Sequence, residues 1–189
     1  KEISQAKFSQ RQKLKEYFYQ WLKDDERQKI FSDSNSSKYP VYFVMANGGA
    51  SRAGYWTSSL LSKMEDSSKG NFSKHLFCLS GASGGSVGNA TFFSLLRAKN
   101  QLQKNNLTLT DASTQYLKSD FLTFTISHLL GPDIFRNFLP FLNSLEIDRG
   151  RALALSLEKA PAKNSFLYDS FAVKFSSLIT QKGQSYSLP

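Results

Sequence analysis

The sequence has 189 residues, a formal net charge of +9, one cysteine, two histidines and a hydrophobic fraction of 40%. This length and composition predict one globular domain with a sizeable core and exclude a disordered chain. The lone cysteine excludes an internal disulfide framework, and no zinc-ligand spacing is present, so we expect no metal. The basic charge favours anionic partners, but the basic-aromatic alternation of RNA-binding sheets is missing, so nucleic acid is not an expected partner.

The N-terminal stretch predicts an amphipathic helix. From Ser4 to Ile30 apolar side chains recur at helical spacing, namely Leu14, Tyr17, Phe18, Trp21 and Leu22. Such a helix either packs on the domain, which is the more common outcome, or lies on a membrane. We interpret residues 1–38 as a helical extension closed by a loop at Ser32–Lys38, and residues 39–189 as the α/β domain. The expected location is membrane-associated or cytoplasmic.

A strand-helix-strand unit follows. Pro40–Ala46 is a continuous apolar run and predicts a strand buried on both faces. It ends in the glycine-rich loop Asn47–Gly54, after which Tyr55–Met64 predicts a helix. Leu76–Leu79 predicts the second strand, with Cys78 in the core. Two parallel strands joined in this way would bring both following loops to the same edge of the sheet, where open α/β folds bind ligands.

The loop after the second strand carries a candidate nucleophile. Gly81-Ala82-Ser83-Gly84-Gly85 reads as G-x-S-x-G between a strand and a helix, which is the context of a nucleophile elbow. We expect Gly81 and Gly85 to relieve crowding around a strained Ser83, with a helix N-terminus beneath the serine oxygen. An ordinary Gly-Ser loop is one alternative. A phosphate loop is another, although no lysine is available there.

The Gly48-Gly49 loop predicts backbone donors for an oxyanion at the same edge, because glycine lets bare N–H groups approach a substrate closely. A tight turn without a chemical role is the alternative.

The second half of the chain reads as mainly helical. Lys99–Thr110 is polar and predicts a loop, and Gly131-Pro132 is expected to separate the first two of three helices, at Thr114–Leu130, Asp133–Phe141 and Asp148–Lys159. Five phenylalanines would form an apolar wall, which is either core or a groove for a lipid chain: Phe121, Phe124, Phe135, Phe138 and Phe141.

The polar residues of this half are expected to have structural roles. We expect Asp111 to be a helix N-cap, and His75 and His128 to be hydrogen-bonded structural residues. Asp111 or Asp120 followed by His128 repeats the triad order of α/β-hydrolases, but the spacing is too short for that fold.

The two glycine loops resemble the patatin-like phospholipase family, in particular bacterial members of its membrane-associated branch. The family signature is D-G-G-G-x-R-G followed by G-x-S-x-G, and the match here spans about Tyr39 to Leu96. The resemblance implies a three-layer parallel-sheet α/β fold and an acyl hydrolase that cleaves lipid esters with a Ser-Asp dyad and no cofactor. The implied site comprises Ser83 as nucleophile, with Gly48, Gly49, Ala50 and Gly84 as oxyanion donors. It also implies that Arg52 anchors the loop or contacts a headgroup.

The chain departs from the family signature at several positions. Asn47 replaces the acidic residue, Ala50 the third glycine and Ala53 the last one. Alanine keeps its N–H, and we expect it to be tolerated provided that the position does not need a positive φ. No aspartate is followed by glycine, so the dyad aspartate is not recognisable, and we expect a fold incomplete on its C-terminal side and truncated before that segment.

These departures leave two further functional hypotheses beside the hydrolase. One is a catalytically inactive lipid-binding or scaffold domain at a membrane surface. The other is a module in which helix N-termini bind an anion.

Overall fold

A computed structural model describes residues 13–33, 38–134 and 149–159, together with the single positions 161 and 172. The described chain is a mixed α/β fold that is mostly helical and contains one two-stranded parallel sheet. In chain order its elements are α1 (Leu14–Leu22), α2 (Asp25–Asp33), β1 (Tyr42–Ala46), α3 (Ala50–Ser67), α4 (Asn71–Lys74), β2 (Leu76–Gly81), α5 (Gly84–Arg97), α6 (Lys99–Lys104), α7 (Leu109–Leu117), α8 (Thr123–His128), a π-helix (Leu129–Asp133) and α9 (Arg149–Lys159).

The two strands confirm the predicted parallel unit, and their C-terminal residues Ala46 and Gly81 pair with each other. The expectation that the first strand is buried on both faces is wrong, because Phe43 is 57% and Met45 83% exposed. The physical reason is that Phe43 and Met45 share one face of the strand, and α1 covers this face only in part, with the Phe18 and Phe43 ring centroids 6.4 Å apart. Cys78, expected in the core, is half-buried.

Helix α1 packs on the sheet through aromatic side chains. The Phe18 ring meets the Phe77 ring edge-on at 4.9 Å between centroids, and the Trp21 and Phe77 centroids are 5.2 Å apart. The stripe therefore packs on the domain through Phe18 and Trp21, while Leu14 at its start is 67% exposed. The predicted single helix is wrong in one respect: the helix ends at Leu22, and α2 extends to Asp33 into the predicted loop. At the break, Arg27 donates to the Trp21 carbonyl oxygen and its guanidinium lies 4.0 Å from the Trp21 ring centroid. Positions 4–12 and 34–37 lie outside the described residues.

Helix α3 begins at Ala50, five residues before the predicted Tyr55, so most of the predicted glycine-rich loop is helix. Its buried face lies against α5 and α7. The helices α3 and α5 cross closely: a Cβ added at Gly88 would lie 2.6 Å from the Gly54 carbonyl oxygen, so only glycine fits at position 88. The core between these helices is formed by Leu61, Phe72, Phe92, Leu95, Leu96, Leu102, Leu109, Ala112 and Tyr116.

A buried carboxylate links three helices. Glu65 on α3 is 1% exposed, and it accepts hydrogen bonds from the Ser73 N–H, the Ser73 hydroxyl and the Lys99 ammonium, each at 2.8 Å. Lys99 begins α6, so the prediction that Lys99–Thr110 is a loop is wrong for most of its length. Leu102 of this short helix is fully buried, and burial of that side chain outweighs the polar composition.

The start of α7 corrects a second expectation. Thr108 is the N-cap, because its Oγ1 accepts a hydrogen bond from the Asp111 N–H at 3.0 Å, so Asp111 is not the cap but lies in the first turn. The Asp66 carboxylate of α3 accepts two more hydrogen bonds, from the Leu109 N–H at 3.2 Å and from the Thr110 N–H at 2.9 Å. A carboxylate from a neighbouring helix thus satisfies donors that the first turn leaves free.

The predicted helix Thr114–Leu130 is also wrong as a single element. The chain leaves α7 at Leu117 and starts α8 at Thr123, because the Asp120 Oδ1 accepts the N–H groups of Leu122 and Thr123 and so starts a new helix. Gly131-Pro132 does not end the helical course, which continues as a π-helix. Asp133–Phe141 lies outside the described residues beyond Ile134. Helix α9 confirms the predicted Asp148–Lys159 to within one residue.

Both histidines are hydrogen-bonded as expected. The His75 Nδ1 lies 3.0 Å from the Pro40 carbonyl oxygen, and the His128 Nδ1 lies 3.0 Å from that of Phe124. None of the described helices is both long enough and apolar enough to cross a bilayer.

Candidate functional site

Ser83 has the backbone of a strained turn between a strand and a helix. Its φ is 50° and its ψ is −125°, a conformation that costs a non-glycine residue on the order of 1–3 kcal/mol. Hydrogen bonds on both sides fix it: the Ala82 N–H donates to the Ala46 carbonyl oxygen at 3.0 Å, and the Ser86 N–H donates to that of Ser83 at 3.0 Å. The side chain is exposed. The predicted strand-to-helix turn is therefore present with Ser83 exposed, and the role of Ser83 as a nucleophile stays a prediction.

Close backbone contacts explain three of the glycines. A Cβ at Gly84 would overlap the Ala50 carbonyl oxygen, and one at Gly85 would lie 2.5 Å from the Ala46 carbonyl oxygen. Gly81 lies close to the Ser86 backbone, with 2.8 Å between an added Cβ and the Ser86 nitrogen. The elbow and the first glycine loop consequently pack backbone against backbone, as the common sheet edge predicted.

The first glycine loop lies beside the serine. A Cβ added at Gly48 would be 3.3 Å from the Ser83 Cβ and 4.0 Å from its Oγ. No described residue accepts a hydrogen bond from the backbone N–H of Gly48, Gly49, Ala50 or Gly84. Three segments of the predicted oxyanion site, the loop, the start of α3 and the start of α5, therefore keep donors available next to Ser83.

Ala50 does not satisfy the condition under which alanine would be tolerated. Its φ is 51°, in the left-handed region that favours glycine. This is the position where the family signature has its third glycine. The Ala50 methyl group therefore adds strain at the first residue of α3.

Arg52 lies on the outward face of α3 and is exposed. No hydrogen bond or ion pair joins it to any described residue. Loop anchoring therefore has no support within the described chain, and contact with a headgroup stays a prediction.

A pocket of about 620 Å³ opens at Ser83. Its walls come from four parts of the chain: Ala50, Ser51, Gly54, Ser83, Gly84, Val87, Leu117, Ser119, Asp120, Phe121, Leu122, Leu153 and Leu157. Leucines from α7 and α9 close the apolar side. The Tyr116 hydroxyl donates to the Leu157 carbonyl oxygen at 2.8 Å and so ties α9 to α7.

Sequence reasoning missed most of these wall residues. Of the predicted phenylalanine wall, Phe121 lines the pocket, Phe124 is 42% exposed, and the other three lie outside the described residues. Leu153 and Leu157 are four apart on the correctly predicted last helix, but nothing in their spacing indicates that this helix lies over the elbow.

Asp120 is the carboxylate that shares the pocket with Ser83 in the described chain. Hydrogen bonds from the Thr123 side chain, the Thr123 N–H and the Leu122 N–H lower its pKa, so it stays ionised at neutral pH. No described residue is hydrogen-bonded to the Ser83 hydroxyl, and neither Asp111 nor His128 lines this pocket. The α/β-hydrolase triad order is thus not assembled.

Within the described ranges no group of three or more histidine, cysteine, aspartate or glutamate side chains is placed to hold a metal ion. Comparison with protein-family models, with curated proteins and with solved structures gives no match for this chain.

Proposed function

We propose that this chain is the nucleophile-bearing part of a patatin-like serine acyl hydrolase that cleaves ester bonds of lipids. The observation that carries the proposal is the strained, exposed Ser83 at a strand-to-helix turn, beside an apolar pocket and backbone N–H groups that no described residue accepts. An acyl hydrolase needs each of these features: a reachable nucleophile, donors for the oxyanion, and a surface for the apolar part of the ester. The three-layer fold of that family belongs to the same proposal.

In the proposed reaction the Ser83 oxygen attacks the ester carbonyl carbon, and the N–H groups of Gly48, Gly49, Ala50 and Gly84 stabilise the oxyanion. The serine proton passes to a carboxylate, which then protonates the departing alkoxide so that the alcohol leaves. The same carboxylate takes a proton from water, which attacks the acyl-serine, and returns it to the Ser83 oxygen as the fatty acid is released. The resemblance assigns the carboxylate to a D-G-G or D-G-A turn, which this sequence does not contain. Arg52 would contact the phosphate of a phospholipid headgroup.

A second function is supported by a specific observation. Ala50 has a positive φ where the family has glycine, and a methyl group there strains the loop that must hold the oxyanion. A catalytically inactive lipid-binding domain at a membrane surface would tolerate that strain, since binding does not require an oxyanion site.

The test is labelling of the intact protein with a fluorophosphonate, with hydrolysis of a short-chain ester followed in parallel. We expect Ser83→Ala to abolish both, a loss of at least about a thousandfold in hydrolysis. Ser86→Ala, an exposed serine of the same turn, is the matched control and should keep both. Labelling of Ser83 without ester hydrolysis would favour the inactive lipid-binding domain, in which Ser83 is reactive but does not complete the reaction. Absence of both labelling and hydrolysis would rule out the hydrolase.

A further inference from the structure

The pocket at Ser83 has one charged side chain in its described lining. Asp120 is that residue, and the other described lining residues are apolar residues, serines or glycines. Asp120 is exposed, and its Oδ1 accepts the N–H groups of Leu122 and Thr123. These hydrogen bonds favour the ionised form of the carboxyl group, so it is negatively charged at neutral pH. The described lining therefore holds one negative charge and no positive one.

The charge of this lining is opposite in sign to that of the whole chain, which is +9. Arg52 and Lys118 directly follow lining residues in the sequence, but both are exposed and neither lines the pocket. Arg151, near the start of α9, is ion-paired with Glu158 at 3.4 Å. The proposed contact of Arg52 with a phosphate would thus lie outside the pocket. An anion drawn to the basic surface would still be repelled by Asp120 once it entered the pocket.

The rest of the lining suits an amphiphilic ligand. Leu117, Leu153 and Leu157 give the pocket an apolar wall on which a hydrocarbon chain can pack. Phe121, the residue after Asp120, also lines the pocket, and aromatic rings attract cations as carboxylates do. A ligand with an apolar chain and a positively charged group therefore matches both parts of the lining. A ligand of the same shape with a negatively charged group would place it next to a like charge.

The observations support this electrostatic role of Asp120 better than a role as the base that activates Ser83. A general base works best with a pKa near the working pH, whereas the hydrogen bonds to Asp120 lower its pKa. The same hydrogen bonds hold its Oδ1 at the start of α8.

We propose that Asp120 makes the pocket selective for amphiphilic esters that carry a positively charged group, and disfavours esters of the same size that carry a negative one. The proposal rests on the proposed function in one respect, namely that Ser83 cleaves the bound ester. The selectivity of binding does not require that Ser83 reacts.

The first experiment measures binding of two probes to the intact protein by titration calorimetry. Octyltrimethylammonium and octanesulfonate have the same alkyl chain and permanent charges of opposite sign. At low ionic strength we expect Asp120→Asn to lower the ratio of their affinities, cationic over anionic, at least about fivefold. In about 0.5 M salt the change should shrink, because Asp120 is exposed and its charge is screened.

The variants separate the charge of Asp120 from its structural role. Asparagine keeps a side-chain oxygen for the N–H groups that start α8, and Asp120→Ser supplies a second uncharged N-cap that should give the same shift. Asp111→Asn is the matched control, since Asp111 is an exposed carboxylate in the first turn of α7 that does not line the pocket. It changes the net charge by the same amount and should leave the ratio unchanged.

An unchanged ratio in both Asp120 variants, an equal fall in Asp111→Asn, or no binding of either probe to the unmodified protein would each overturn the proposal.

The second experiment compares hydrolysis of the octanoyl esters of choline and of isethionate, whose alcohols carry opposite charges. We expect Asp120→Asn to lower the ratio of their kcat/KM values, choline ester over isethionate ester, by a similar factor. An equal loss of both rates with an unchanged ratio would make Asp120 part of the reaction itself and would overturn the proposal. If the ratio of probe affinities depends on Asp120 while Ser83 neither labels nor hydrolyses, the selectivity stands and the hydrolase fails.

Discussion

Ala50 and Ser83 hold nearly the same left-handed φ, 51° and 50°, and they belong to loops that touch through Gly84. In the proposed hydrolase the strain at Ser83 would have a use, because the turn exposes the hydroxyl next to backbone donors. For Ala50 no such use is visible: the N–H would be equally available from glycine. The cost of the Ala50 methyl group is therefore measurable separately from any chemistry at Ser83.

We expect Ala50→Gly to raise the free energy of unfolding by about 0.5–1 kcal/mol, because relief of the left-handed strain exceeds the entropy cost of glycine. Urea unfolding measures it. Ala53→Gly is the matched control, since Ala53 lies in the same helix without a positive φ, and it should lose a similar amount. A loss at Ala50 equal to that at Ala53 would contradict the strain.

We expect His75 to make the free energy of unfolding sensitive to mild acid. Burial lowers the pKa of His75 below its usual 6.5, outweighing its bond to the Pro40 carbonyl oxygen, which acts in the opposite direction. The neutral ring is thus favoured in the folded state, and its contribution is present above about pH 6.5 and lost as the pH falls through the lowered value.

We therefore expect unfolding in urea to become easier between pH 7.5 and pH 5, and His75→Asn to reduce that change. The asparagine amide can still donate to the Pro40 carbonyl oxygen but does not titrate. An identical pH dependence in the variant would show that His75 does not contribute to it.

At the level of elements, the Glu65 carboxylate holds α3, α4 and the start of α6 together. Lys99→Met would leave this buried charge without its cation, and we expect a loss of about 3 kcal/mol in unfolding free energy. Lys104→Met, at the exposed end of α6, should change it by less than about 0.5 kcal/mol.

Adding Glu65→Gln to Lys99→Met should recover more than half of that loss, because a neutral amide needs no counter-charge. Failure of the double variant to recover would mean that Lys99 acts through packing and not through its charge. Calorimetric or urea unfolding of the four proteins decides between these explanations.

The elements also show what a sequence can and cannot predict here. The strand-turn-helix at Ser83 was predictable because an apolar run, spaced glycines and a helical run are contiguous. The start of α3 at Ala50 was not predictable, because the residues from Ala50 to Gly54 continue a glycine-rich stretch that is typical of a loop. Whether they are loop or helix depends on the contact between Ala50 and Gly84, which the sequence does not show. Helix α6 was not predicted because five of its six residues are polar and only Leu102 is buried. Thr108 and Asp111 are both residue types that favour the N-cap position. Only the hydrogen bond from the Asp111 N–H to the Thr108 Oγ1 shows that Thr108 is the N-cap.

For the whole molecule, the walls of the pocket were the least predictable part. Leu117, Asp120 and Leu157 reach Ser83 only because α7, α8 and α9 fold back over the elbow, and no spacing in the sequence encodes that approach. The candidate nucleophile and the candidate donors lie between Gly48 and Gly84, whereas the lining of the pocket also includes residues from Leu117 to Leu157. The local turn around Ser83 could thus be predicted from the sequence, and the shape of the pocket could not.

The contrast between the two tryptophans has a practical consequence for spectroscopy. Trp21 is held between Phe77 and the Arg27 guanidinium, whereas Trp56 is 68% exposed on α3. Emission from Trp56 already arises from a hydrated indole and changes little on unfolding. Intrinsic fluorescence therefore reports chiefly whether α1 remains seated on the sheet. Far-ultraviolet circular dichroism follows all helices. If the fluorescence transition comes at a lower denaturant concentration than the circular dichroism transition, the N-terminal helices detach before the remainder unfolds.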